Sequence, residues 1–125
     1  MIAYLRGEPG ADVVESALSG NSGGCIAHAV NLCEVYYKFV RASGEAVATA
    51  AIRDLQDTGV VARADLDEPF WQDVGRHKAT IGRVPLADCF VVALANRIDG
   101  EAMTADHPDF DPIDAQGICR VTFIR

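Results

Sequence analysis

What most constrains this chain is an alternation: short apolar runs, each the length of a strand, separated by stretches long enough to be helices. CIAHAV at 25–30 and VVARA at 60–64 are followed by a run at 101–105 and by ICRVTFI near the end. Continuous apolar runs of this length suit strands buried on both faces, as in a parallel sheet. Parallel neighbours need a crossover connection, usually a helix. The expected fold class is therefore α/β, with a mostly parallel sheet covered on both faces, and residues 1–125 are expected to form one domain.

The stretches between the runs read as helices with recognisable stops. Residues 2–6 read as a helix end, stopped by Gly7 and Pro9, and residues 11–18 as a second short helix. GNSGG at 20–24 reads as a loop. The run at 25–30 leads into a helix through Ala42, and Gly44 separates it from a helix over 45–57. Asp65 and Asp67 are N-cap candidates for a helix over 66–80. Pro85 suits the first turn of a helix through Ile98, with Phe90, Val91, Leu94, Ala95 and Ile98 on one buried face. Residues 106–117 read as a loop with one helical turn.

Charge and cysteine usage narrow the function classes. The formal net charge of −7 excludes a protein that coats nucleic acid, which needs a basic surface. It leaves room for a nuclease, in which metal ions neutralise a pit of carboxylates, and for a basic protein partner. The four cysteines are scattered without a CxxC pair, so they are expected to be reduced and buried rather than bridged or zinc-bound. The three histidines form no ligand pair, and no serine elbow, phosphate loop or dinucleotide fingerprint is present. A receiver domain is disfavoured because the only lysines, Lys38 and Lys78, lie far from the last strand. No apolar run is long enough for a membrane span and no signal peptide is recognisable, so a cytoplasmic protein without membrane attachment is expected.

Three acidic residues carry the chemistry. In an open parallel sheet, ligands bind outside the C-terminal ends of the strands. Glu34 follows the first run, Asp88 sits in the first turn after Pro85, and Asp106 follows the run at 101–105. A carboxylate inside NLCEVYYKFV is costly to bury unless it is paired or metal-bound. Asp88 alone could serve only the helix dipole, and Asp106 alone could be a cap. Together, the three suit Mg²⁺ or Mn²⁺, which prefer oxygen ligands and waters. Asp109 is a further candidate ligand, with Asn31 and Thr104 as supporting residues that hold the carboxylates. Arg76, Lys78 and Arg83, in the basic stretch before Asp88, are candidates for guiding an RNA backbone.

The segments IAYLRGEPGA, AVNLCEVYYKFVR, PLADCFVVALA, MTADHPDFDP and GICRVTFIR resemble PIN domains of the VapC toxin type, in order along nearly the whole chain. The resemblance implies a three-layer α/β/α fold and a carboxylate pit binding Mg²⁺ or Mn²⁺. It also implies endonucleolytic cleavage of RNA, a homodimer, and a cognate antitoxin that masks the pit. Glu34, Asp88 and Asp106 match the second, third and fourth acidic positions of the family pattern. That pattern begins with a central strand ending in an aspartate, and here Met1 falls inside the segment that follows it. The first strand and first aspartate are thus expected to be missing, through a start assigned too late or a real short form. The resemblance implies a metal-dependent endoribonuclease toxin. The alternative is a weakened or inactive PIN scaffold that still binds an antitoxin or RNA.

Overall fold

The switch from strand to helix at His28 organises the first half of the chain. In the computed structural model, which describes residues 1–20 and 24–125, strand β1 (Cys25–His28) ends where the His28 side chain caps the next helix. Its Nδ1 accepts a hydrogen bond from the Val30 amide at 3.2 Å, satisfying a donor that a helix start leaves open. The apolar run at 25–30 therefore yields a strand two residues shorter than its composition suggests. Helices α1 (Ile2–Arg6) and α2 (Ala11–Ser19) precede it, as expected. Within the loop read at 20–24, residues 21–23 lie outside the described residues.

Helix α3 (Ala29–Ser43) buries Asn31, Val35 and Phe39, spaced one turn apart along a single face. It ends at Gly44, whose φ of 87° is strained for any residue with a side chain. Helix α4 (Glu45–Asp57) turns back with Ala48, Ala51 and Leu55 inward, and small alanines let the two helices approach closely. Ala27, Val35, Phe39, Ala48, Ala51, Leu55 and Val60 form one apolar cluster. Strand β2 (Val60–Arg63) pairs in parallel with β1, Cys25 opposite Val60 and His28 opposite Arg63. Val61 on β2 is 56% exposed, so the expected cover on both faces does not extend to this strand.

These elements make up one compact unit, Met1–Ala64; Asp65–Arg125 form a second. In the second, Asp67 rather than Asp65 caps helix α5 (Glu68–Ile81), accepting from the Phe70 amide. Pro85 stands just ahead of helix α6 (Leu86–Arg97) as its cap residue. Helix α6 is buried almost all round: Cys89, Val92 and Ala93 are fully covered, whereas Ile98 is exposed. A single apolar stripe at helical spacing under-describes a helix with so little solvent face. Strand β3 (Ala102–Thr104) pairs in parallel with β4 (Val121–Phe123) across helix α7 (His107–Ala115). The expected loop at 106–117 is therefore mostly a helix of nine residues.

The described residues form a mixed α/β structure, mostly helical, with two two-stranded parallel sheets, β1–β2 and β3–β4. No helix among them is long and apolar enough to cross a membrane. The cysteines are all free; Cys89 and Cys119 are buried as expected, but Cys25 is half-buried and Cys33 is exposed. Cys33 lies off the inward face of α3, which is set by Val35 and Phe39.

Candidate active site

Each candidate acid is placed by a different local device. Glu34 lies in the second turn of α3, half-buried between exposed Cys33 and fully covered Val35. Asn31, one turn earlier on the same helix, is 6% exposed. Glu34 and Asn31 belong to the first unit; the other candidates belong to the second.

Asp88 stands in the first turn of α6, where helix backbone amides point outward and favour negative charge. Pro85 makes this turn start cleanly: its carbonyl accepts from the amides of both Asp88, at 3.1 Å, and Cys89, at 3.2 Å. Burial pushes the Cys89 thiol up, and neighbouring Asp88 adds to that shift.

Asp106 is held at both ends. Its amide donates to the Thr104 hydroxyl at 3.0 Å, and its Oδ1 accepts from the Asp109 amide at 3.2 Å, capping α7. A carboxylate has a second oxygen and further lone pairs, so capping and ligation are compatible uses of one side chain. Asp109 follows in the first turn of α7, half-buried. Burial, and then the charge of Asp106, raise the Asp109 carboxyl above the ordinary range, while Lys78 opposes the rise. A bound cation would oppose the charge that Asp106 imposes on Asp109.

His107, between them in sequence, is clamped. Its ring stacks on Phe123 at 4.1 Å; Nδ1 meets the Asp111 carboxylate and Nε2 the Arg125 backbone oxygen, each at 2.9 Å. Both partners are acceptors, so both nitrogens donate at once only in the imidazolium form. The Arg125 oxygen and then Asp111 accordingly raise this imidazole above its ordinary value.

The basic stretch is more engaged than its sequence suggests. Arg76 is exposed and pairs with Asp73 at 2.8 Å, and Arg83 is also exposed. Lys78 is half-buried, and its ammonium donates to the carbonyls of Gly82 at 2.9 Å and Val84 at 2.8 Å. Arg97, which sequence reasoning passed over, bridges Asp65 at 2.7 Å and grips both oxygens of Asp67 while lying over the Phe70 ring. These contacts lower the Asp67 carboxyl and raise the arginine further. A cleft of about 320 Å³ opens beside them, walled by Arg76 and Arg97, both neutralised by aspartates. The signal for Arg97 was its place in the last turn of α6, where a cation suits the helix dipole; its partners are tertiary.

Among the described residues, no group of three or more His, Cys, Asp or Glu side chains gathers to hold a metal ion. The donor type within the second unit, carboxylate oxygen, is the type a hard cation takes. Mg²⁺ is commonly held by one or two carboxylates plus waters, and Asp106 and Asp109 place two oxygen-donor side chains at the start of α7.

Parallel strands joined through helices, with Asp106 at the start of the helix that follows β3, define an α/β protein of the class whose ligands bind beyond the C-terminal ends of the strands. The particular family is also shown: the PIN domain matches residues 1–115, and the chain belongs to the PIN domain family. PIN domains are generally metal-dependent nucleases, so the family points to a nuclease-type function. No curated protein and no solved structure matches the chain significantly.

Proposed function

We propose that this chain is a magnesium-dependent endoribonuclease of the VapC toxin type, acting in the cytoplasm and restrained by a cognate antitoxin. The observation that carries the reading is the PIN match, which runs through both units and supports one domain over residues 1–125. In this reading the helices and sheet make a three-layer α/β/α domain that works as a homodimer. Glu34, Asp88 and Asp106 are its metal ligands, with Asp109 as an additional oxygen donor. Asn31 and Thr104 support them, and the Thr104 hydroxyl already receives the Asp106 amide. Arg76, Lys78 and Arg83 are the residues proposed to guide the RNA backbone, with the two arginines as its exposed members.

When bound, Mg²⁺ or Mn²⁺ supplies an activated water and charge neutralisation at the scissile phosphate. The chain's own contribution is placement. Pro85 fixes the turn that displays Asp88, the Thr104 hydroxyl fixes the backbone of Asp106, and half-buried Asp109 holds a proton more readily than an exposed aspartate.

The second reading is a PIN scaffold that binds antitoxin or RNA with weak or no cleavage. It is favoured by the present use of Asp106, whose carboxylate caps α7 by accepting from the Asp109 amide. RNA cleavage by wild type and Asp88→Asn, with Mg²⁺ and with chelator, separates the readings. The nuclease reading expects chelator-sensitive cleavage and a loss of about a hundredfold or more in the variant, the scale of removing a positioned catalytic group. Equal cleavage by both proteins, or none by either, removes the enzyme reading.

A further inference from the structure

Lys78 is engaged differently from the two arginines that flank the cleft. Arg76 and Arg97 meet carboxylates, whereas the Lys78 ammonium meets backbone. It reaches from the last turn of α5 to the carbonyls of Gly82 and Val84, the two ends of the tripeptide that precedes Pro85. Gly82 also returns its amide to the Lys78 carbonyl at 3.3 Å, so residue 78 closes this connection from both its backbone and its side chain.

The geometry points to Lys78 as a positioning residue, whose ammonium locks the α5–α6 connection into the one shape that displays Asp88 from the first turn of α6. This inference rests on the reading of Asp88 as a site residue and adds what holds it. The chain of constraint is short: the ammonium fixes the Gly82 and Val84 carbonyls, Val84 is 3% exposed and anchors the segment, and Pro85 follows with its carbonyl receiving the Asp88 amide. Hydrogen bonds from a charged donor are about twice as strong as neutral ones, so two of them restrain a short loop effectively. A lysine serving only as an RNA contact would keep its ammonium on solvent.

Lys78→Met removes both hydrogen bonds while retaining much of the stem. The expected result is at least a tenfold acceleration of amide hydrogen exchange over residues 83–88. The Mg²⁺ concentration for half-maximal RNA cleavage is expected to rise about tenfold, with Lys78→Arg restoring both toward wild type. Asp67→Ala, which weakens the same unit by uncapping α5, is expected to leave the Mg²⁺ requirement unchanged and so separates positioning from general destabilisation. If Lys78→Met fails to fold, Lys78→Gln carries the same comparison. Wild-type exchange at 83–88 together with a wild-type Mg²⁺ requirement overturns the inference, as does a change confined to the KM for RNA. If Asp88→Asn cleaves like wild type, the site reading has failed instead, and exchange at 83–88 still decides whether Lys78 fixes the segment.

Discussion

The two units of this chain both bury apolar side chains but fasten their connections by different means. Residues Met1–Ala64 rely on an aliphatic cluster in which α3 and α4 pack through Val35, Phe39, Ala48, Ala51 and Leu55. Residues Asp65–Arg125 also have buried residues, but their connections are tied by charged side chains: Arg97 to Asp65 and Asp67, Lys78 to two carbonyls, and Arg120 to Asp99. Their acids differ correspondingly. Glu34 rides on a helix fixed by apolar packing, whereas Asp88 and Asp106 stand at helix starts whose shape depends on neighbouring polar contacts. Apolar packing sets where a helix lies; polar contacts set where a helix begins. A carboxylate presented from the first turn needs the second kind of control.

The sharpest way to break this contrast is to attack each core directly. Leu55→Ala and Ile113→Ala both truncate fully covered side chains and are expected to destabilise by about 2–5 kcal/mol in urea unfolding. The contrast predicts that Leu55→Ala accelerates amide exchange chiefly within residues 1–64. Uniform acceleration along the chain would show that the units share one stabilising core.

A smaller effect is expected from Arg97→Met, which leaves Asp65 and Asp67 without their shared cation. Faster exchange at the start of α5 is expected, along with a melting temperature that is less sensitive to added salt than that of wild type, because the variant has lost a screenable interaction. Unchanged exchange at residues 65–70 would mean that the arginine cluster is ornamental to this unit.

The smallest effect is a pH dependence centred on His107. Its folded-state proton affinity is raised, so its contribution is fully present below the unfolded value near pH 6.5 and is lost as pH rises through the higher folded value. The partners facing the ring are Asp111, the Arg125 backbone oxygen and, at longer range, Asp106. Exchange at the start of α7 should therefore accelerate with pH beyond the intrinsic chemical rate in wild type, and this excess should vanish in His107→Gln. A persistent excess in the variant would assign the pH dependence elsewhere.

Much of the architecture was legible because it is written locally. The run VVARA, the glycine stop at Gly44 and the Asp67 cap each declare themselves within a few residues. Helix α7 was not legible, since DHPDFDP carries two prolines and reads as a break. Pro108 falls in the first turn, where a missing amide costs nothing, while Phe110 and Ile113, one turn apart and fully covered, draw the segment into a helix around Pro112. Among the candidate acids, residue type was readable, as was the place of Glu34 after β1 and of Asp106 after β3, whereas Asp88 follows a helix and a short connection. What the sequence could not supply was their fastening: Arg97 finds Asp65 across 32 residues, and Lys78 meets carbonyls that carry no sequence signature.

The way the strands pair has a consequence for how the chain acquires its shape. Each ladder is only three or four residues long, and such brief parallel pairings are weak alone. Each also joins strands reached soon after one another, β1 to β2 across a helical hairpin and β3 to β4 across one helix. Neighbours in space are thus mostly neighbours in order, a topology that favours rapid assembly. Helices α3 and α4 should gain protection before β1 does in a pulse-labelled refolding experiment, with the ladders closing last over a scaffold already in place.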